Sequence, residues 1–137
     1  MISAEYIAGF FDADGSVGVY KRGNNSWQIN VVIANSGFHG LEICTLLQNQ
    51  FGGCLTFTQA KKRTQRNAFW WKLNGCTSCK EFLLYIEPFV IIKKDQVQAS
   101  LNFIDQWEKM PRYNKTNEQI NFLKNTEIVL KEMKRKC

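Results

Sequence analysis

Residues Ile7 to Gly15, Ile-Ala-Gly-Phe-Phe-Asp-Ala-Asp-Gly, constrain this chain more than any other stretch. Ser3 is a good N-cap, and Glu5 lies in the first turn, where the helix dipole favours an acid. A helix therefore starts near Ala4 and runs into an acidic turn over Asp12 to Asp14. Two of its features oppose helix stability. Gly9 costs ~1 kcal/mol against alanine in a helix interior. Asp12 and Asp14 lie at the end where the dipole is already negative. Each oddity has a physical use. Gly9 and Ala13 are four apart, as are Ala8 and Asp12, so small side chains share faces on which another backbone can come close. That backbone belongs either to a second copy or to the chain's own helix over Asp95–Met110. The negative turn invites a cation, but not as an EF-hand: Gly18, Val19 and Tyr20 follow where further oxygen ligands would be needed.

The rest of the chain alternates hairpins and helices. Ser16–Arg22 and Trp27–Asn35 are strands around the turn Gly23-Asn24-Asn25. In the second strand Trp27, Ile29, Val31 and Ile33 alternate with Gln28, Asn30 and Val32, which makes it half-buried. The apolar spacing of Phe38, Leu41, Ile43, Leu46, Leu47 and Phe51 is helical, and Gly52-Gly53 stops it. Cys54–Gln59 and Asn67–Leu73 form a second hairpin with a basic tip. Ser78–Ile86, Asp95–Met110 and Thr116–Lys136 are helices, the first two stopped by Pro88 and Pro111. The expected fold is an α+β single domain over residues 1–137. Its αββαββα core places one four-stranded antiparallel sheet under helices on one face, with extra C-terminal helices.

Charge gives the free face of that sheet a role. The net charge is +6. Between Gly15 and Gly75 the only acid is Glu42, against seven lysines and arginines, so this segment holds the whole excess. Such a block suits a polyanion, nucleic acid before a membrane surface, although a merely solvated basic face remains the plain alternative. The apolar runs are far shorter than the ~20 residues of a membrane span, and the N-terminus has no basic leader. Five scattered cysteines do not suggest a disulfide framework. Cys76-Thr77-Ser78-Cys79 is a lone CxxC, too little for zinc.

At this point the residues closely resemble a known motif. Ile7–Gly15 is similar to the LAGLIDADG motif of homing endonucleases in its single-motif form, and Pro88-Phe89-Val90-Ile91-Ile92-Lys93-Lys94 resembles a second segment of that family. The resemblance covers roughly Ile2 to Leu101. It implies a saddle-shaped sheet, a homodimer and divalent-metal-dependent cutting of double-stranded DNA at a long pseudo-palindromic site, leaving 3′ overhangs. Mg2+ is the implied cofactor, with Mn2+ as another candidate. Asp14 is the implied metal ligand, joined by the backbone carbonyl of Ala13. Asn35 would order water, and Lys93 would stabilise charge on the cleaved phosphate, with Lys94 as a neighbour easily confused with it. Asp12 would brace the helix end near the partner. With Ala8, Gly9 and Ala13 it makes up the implied dimer interface, a simple solvated acid being the plainer reading of it. His39, where some relatives carry a basic residue, is a further candidate against its reading as a surface histidine.

Sequence readout is expected from the outward sheet face: Gly18, Tyr20, Arg22, Ser26, Gln28, Asn30, Val32, Thr56, Thr58, Trp70 and Lys72. Asn and Gln suit adenine, and Arg and Lys suit guanine, in the major groove. The tip residues Lys61, Lys62, Arg63 and Arg66 suit phosphates. Trp70 is on that face unless the register slips by one, which would put it at the core edge. An RNA maturase with intron RNA as partner, or a non-catalytic DNA-binding regulator, would use the same scaffold. The implied setting is intracellular: an organelle (chloroplast or mitochondrion) or a microbial cytoplasm.

Overall fold

The computed structural model describes residues 1–37, 39–63 and 66–136, the side chain of Lys136 excepted. The expected helix start at Phe38, the centre of the basic tip at Thr64 and Gln65, and the terminal Cys137 lie outside them. The described elements run α1 (Ala4–Asp14), β1 (Gly15–Lys21), β2 (Trp27–Asn35), α2 (Gly40–Phe51), β3 (Cys54–Thr58), β4 (Ala68–Asn74), α3 (Cys76–Ile86), α4 (Lys94–Glu108) and α5 (Asn117–Lys136). This is the expected α+β order. No helix among the described residues is long and apolar enough to cross a membrane.

The sheet is antiparallel with order β1-β2-β4-β3. The two hairpins lie side by side, and the second strand of each is central. Alternation fixes which face is dry. Val17, Val19, Trp27, Ile29, Val31, Ile33, Trp71 and Leu73 all point to the helices and are buried. Phe82 of α3 is a hub of this core. Its ring meets Phe11 at 6.0 Å, Phe51 at 5.0 Å and Trp71 at 5.1 Å, in edge-on or tilted contacts, geometries that suit aromatic quadrupoles. Trp71 also donates its indole N–H to Gly52 O at 2.8 Å, so a large buried ring leaves no polar atom unpaired.

Each helix buries one stripe. In α1 this is Ile7, Ala8 and Phe11, and Tyr6 N donates to the Ser3 cap at 3.3 Å. In α2, Cys44 and Leu47 face the core, whereas Leu41 and Leu46 are exposed. The stripe through Gly40, Cys44, Leu47 and Phe51 takes the inner positions, and those two leucines lie one residue off it. α5 starts with a reciprocal capping box: Gln119 N donates to Thr116 Oγ1 (3.2 Å) and Thr116 N to Gln119 Oε1 (2.9 Å). α5 is tied to the sheet where Trp27 Nε1 donates to Glu127 Oε2 at 3.0 Å.

Candidate functional site

α1 passes into β1 without a linker. Gly15, the C-cap, is extended, and its N–H donates to Phe11 O. A Cβ at Gly15 would fall 2.2 Å from the Phe11 ring, which is fully buried, so only glycine lets the chain leave the helix here. This abrupt exit puts Asp12 and Asp14 on different sides of the helix end.

The structure binds one acid within the chain and leaves the other open. Asp12 Oδ2 accepts from Ile91 N at 2.9 Å, and its Oδ1 from Lys93 N at 3.0 Å. It braces the turn that carries Lys93, within its own chain, and is not a simple solvated acid. Lys93 in turn donates its ammonium to Phe11 O (3.3 Å) and to Gly15 O, and lies 5.7 Å over the Phe11 ring. A cation on the last carbonyls offsets the negative end of the helix dipole. Two of its three N–H donors are engaged in this way.

Asp14 is exposed, and its Oδ2 accepts from Asn35 Nδ2 at 3.5 Å, at the end of β2. Asn35 is itself fixed, because its Oδ1 accepts from Gly37 N at 2.8 Å. Asp14 and Asn35, far apart in sequence, are therefore neighbours. His39 is the N-cap residue of α2, with its ring Nδ1 3.1 Å from Glu42 Oε2. Among the described residues no three His, Cys, Asp or Glu side chains converge. A single copy thus offers one open carboxylate with helix-end carbonyls. A hard divalent ion accepts one or two carboxylates, its own waters and phosphate oxygens, so this donor set fits such an ion.

Tyr6, Gly9 and Ala13 form one exposed face of α1. A Cβ at Gly9 would meet nothing within 4 Å, so Gly9 does not pack against the chain's own α4. Ala8 is 0% exposed and faces its own core, which removes it from any surface. It lies one residue round from Gly9, on the apolar stripe with Ile7 and Phe11. The carboxylate of Asp12 likewise turns inward to its two amides. Of the four residues expected at an interface, only Gly9 and Ala13 present themselves.

The register puts the expected readout residues on one outward surface. Tyr20 pairs with Gln28, Gly18 with Asn30, and Val32 with Lys72; Trp70 pairs with Ala34 on one side and Thr56 on the other. Trp70 is 38% exposed, whereas Trp71 is 0% exposed, so the register is not slipped. Asn30 is an exception in degree, being nearly buried at the sheet centre. Tyr20 folds over Gly18, where a Cβ would fall 2.6 Å from its hydroxyl. Arg22 donates to Gln28 Oε1 at 2.9 Å. Ser26 is exposed in the turn between β1 and β2, and Thr58 ends β3. Lys61, Lys62 and Arg63 are exposed beyond it, and Arg66 lines a shallow groove of about 460 Å³ with Trp70 and Thr58. Alternation also places Ser16 and Asn74 on this face, which the hydrophobic pattern alone would have shown.

Cys76 and Cys79 are structural in character. Cys79 donates to Leu73 O at 3.6 Å, and burial pushes its thiol up to about 12; burial likewise raises Cys76 to about 11.

Comparison by sequence gives nothing: no family model and no curated protein matches the chain. Comparison by structure does. The homing endonuclease I-TnaI superposes with a TM-score of 0.76 over 98% of this chain and 95% of that one, at 14% identity. I-CvuI, a homing endonuclease crystallised on DNA with Mg, gives 0.71 over 95% and 80%, at 19% identity. The chain has the LAGLIDADG homing endonuclease fold. The I-SmaMI LAGLIDADG homing endonuclease bound to cleaved DNA gives 0.68 at 15% identity, but this chain covers only 42% of that one.

Proposed function

We propose that the protein is a site-specific double-strand DNA endonuclease that works inside the cell as a homodimer with Mg2+ or a similar divalent ion. The observation that carries this reading is the acidic turn. Of two carboxylates at one helix end, Asp12 is bonded within the chain, while Asp14 is open beside the outward polar sheet face and next to Asn35.

In this reading Asp14, with the Ala13 carbonyl, holds the ion. When bound, the ion polarises the scissile phosphate and lowers the pKa of a water. Asn35 orients water beside Asp14 through its amide. Lys93 keeps one N–H donor for a phosphate oxygen and stabilises charge developing there. The outward residues of β1, β2, β3 and β4 read base edges in the major groove, and Lys61, Lys62, Arg63 and Arg66 hold phosphates.

One open carboxylate per chain serves one strand. Two copies would meet through the exposed Tyr6, Gly9 and Ala13 face of α1, and the apolar Phe89, Ile91 and Ile92 stand exposed on the segment that Asp12 braces. Exposed apolar clusters of this kind mark interaction surfaces. That this chain covers less than half of the I-SmaMI chain favours a pair as the working unit. A pair implies a pseudo-palindromic site, and the LAGLIDADG resemblance implies that the two cuts cross the minor groove and leave 3′ overhangs.

The test is cleavage of the protein's own coding locus with the insertion removed. Specific cutting that needs Mg2+ and stops with chelator supports the reading. Binding without cutting at any divalent ion would overturn it in favour of a regulator, and preferential binding of the intron transcript in favour of a maturase.

A further inference from the structure

The cleft at the end of α1 is lined by a lysine to which no role has been given. It encloses about 370 Å³ between Asp12, Ala13, Gly15, Ser16, Lys93 and Lys134. Lys134 comes from α5, beyond the stretch that carries the motif. Along α5, Leu123 and Leu130 are buried and Glu127 binds Trp27, so the sheet-facing stripe runs 123, 127, 130 and then 134. The apolar contact continues through Met133, and Lys134 lies beside it at the cleft. Lys134 is half-buried and lines the cleft.

That ammonium has no ion-pair partner among the described residues, whereas Lys131 one turn earlier pairs with Glu127 at 3.2 Å. The acid of the cleft, Asp12, is held by two backbone amides. Burial holds Lys134 below the ordinary lysine range, and the positive charges of Lys93 and Lys131 push the same way. Two cations that line one cleft repel each other until an anion lies between them. The cleft borders Ser16, on the outward sheet face, and the turn that carries Asp14. A phosphodiester oxygen on that face has the matching charge, and lysine binds phosphate as a point charge with rotatable donors.

We propose that Lys134 and Lys93 together hold one phosphate of the nucleic acid beside the acidic turn, which makes α5 part of the binding surface. This rests on the nucleic-acid reading above and adds a cation to it. The experiment compares wild type with Lys134→Met, Lys134→Arg and Lys109→Met. The last removes the same charge from an ion pair with Asp105 at the far end of α4. Duplex binding is measured across salt, and single-turnover cleavage at saturating protein. Lys134→Met is expected to lower the slope of log K against log salt by about one per bound copy. It should also slow cleavage roughly tenfold or more, with Lys134→Arg restoring most of both. Thermal melting checks the fold, and should Lys134→Met melt low, the arginine variant decides: weaker cleavage and an unchanged slope there count against the cradle. Slopes and rates equal to those of Lys109→Met overturn the proposal. Protection from melting by inorganic phosphate in wild type but not Lys134→Met, with equal DNA slopes, assigns the cleft to free phosphate and also overturns it. Should wild type bind duplex but cut nothing, the nuclease reading fails while the salt slope still decides this one.

Discussion

Asp12→Asn is the most informative single perturbation of the helix end. The carboxylate accepts two amide hydrogen bonds, 2.9 Å from Ile91 N and 3.0 Å from Lys93 N. Bonds to a charged group contribute ~1.5–3 kcal/mol each. Asp12 is only half-buried, so the lower figure applies. Asparagine keeps one acceptor and turns an NH2 group toward the other amide, so about 1.5–2 kcal/mol is lost; Asp12→Ala loses about 3. At ~2.1 cal/mol/K per residue, unfolding this chain releases about 0.3 kcal/mol/K. The asparagine variant should therefore melt about 5–7 °C lower, and the alanine variant about 10 °C lower. The assay is thermal unfolding at one fixed protein concentration without DNA or metal, because association would otherwise add to the melting temperature. Melting within about 1 °C of wild type in both variants would refute the bracing role and return Asp12 to a solvated acid.

Other expectations follow from the same geometry. Gly9→Ala removes a helix-interior glycine where a Cβ meets nothing, so the isolated chain should gain about 1 kcal/mol in denaturant unfolding while the dimer weakens in sedimentation. A variant as dimeric as wild type would count against the α1 seam. Trp71→Ala empties the core and should cost about 3–5 kcal/mol of stability. Trp70→Ala should change stability little but weaken duplex binding by up to about 1.5–3 kcal/mol in a filter or anisotropy titration, the gain from burying a large apolar side chain.

Much of this was legible in the sequence, for definite reasons. Period-2 alternation fixed the faces of β2 and β4, so the outward positions of Gln28, Val32, Trp70 and Lys72 could be read directly. Gly9, the two acids and the Gly15 exit stood out because each opposes local helix preference without an evident local gain. Long-range contacts were less visible. Nothing local says that Asp12 would meet the Ile91 and Lys93 amides, about eighty residues on. Ala8 faces the core because it lies on the stripe of Ile7 and Phe11. Lys134 is legible in the helix pattern as well. It continues the stripe of Leu123 and Leu130, and a lysine in an inward register is a signal that charge-rich helix ends easily hide.

The central claim is that Asp14 is the open carboxylate on which cutting depends. The direct measurement is Asp14→Asn against wild type on the same duplex with Mg2+, following binding and strand cleavage together. Asparagine keeps the shape and a hydrogen-bonding oxygen but removes the charge. Binding should persist at near wild-type affinity while cleavage of both strands is lost. Cleavage by Asp14→Asn at the wild-type rate would contradict the claim.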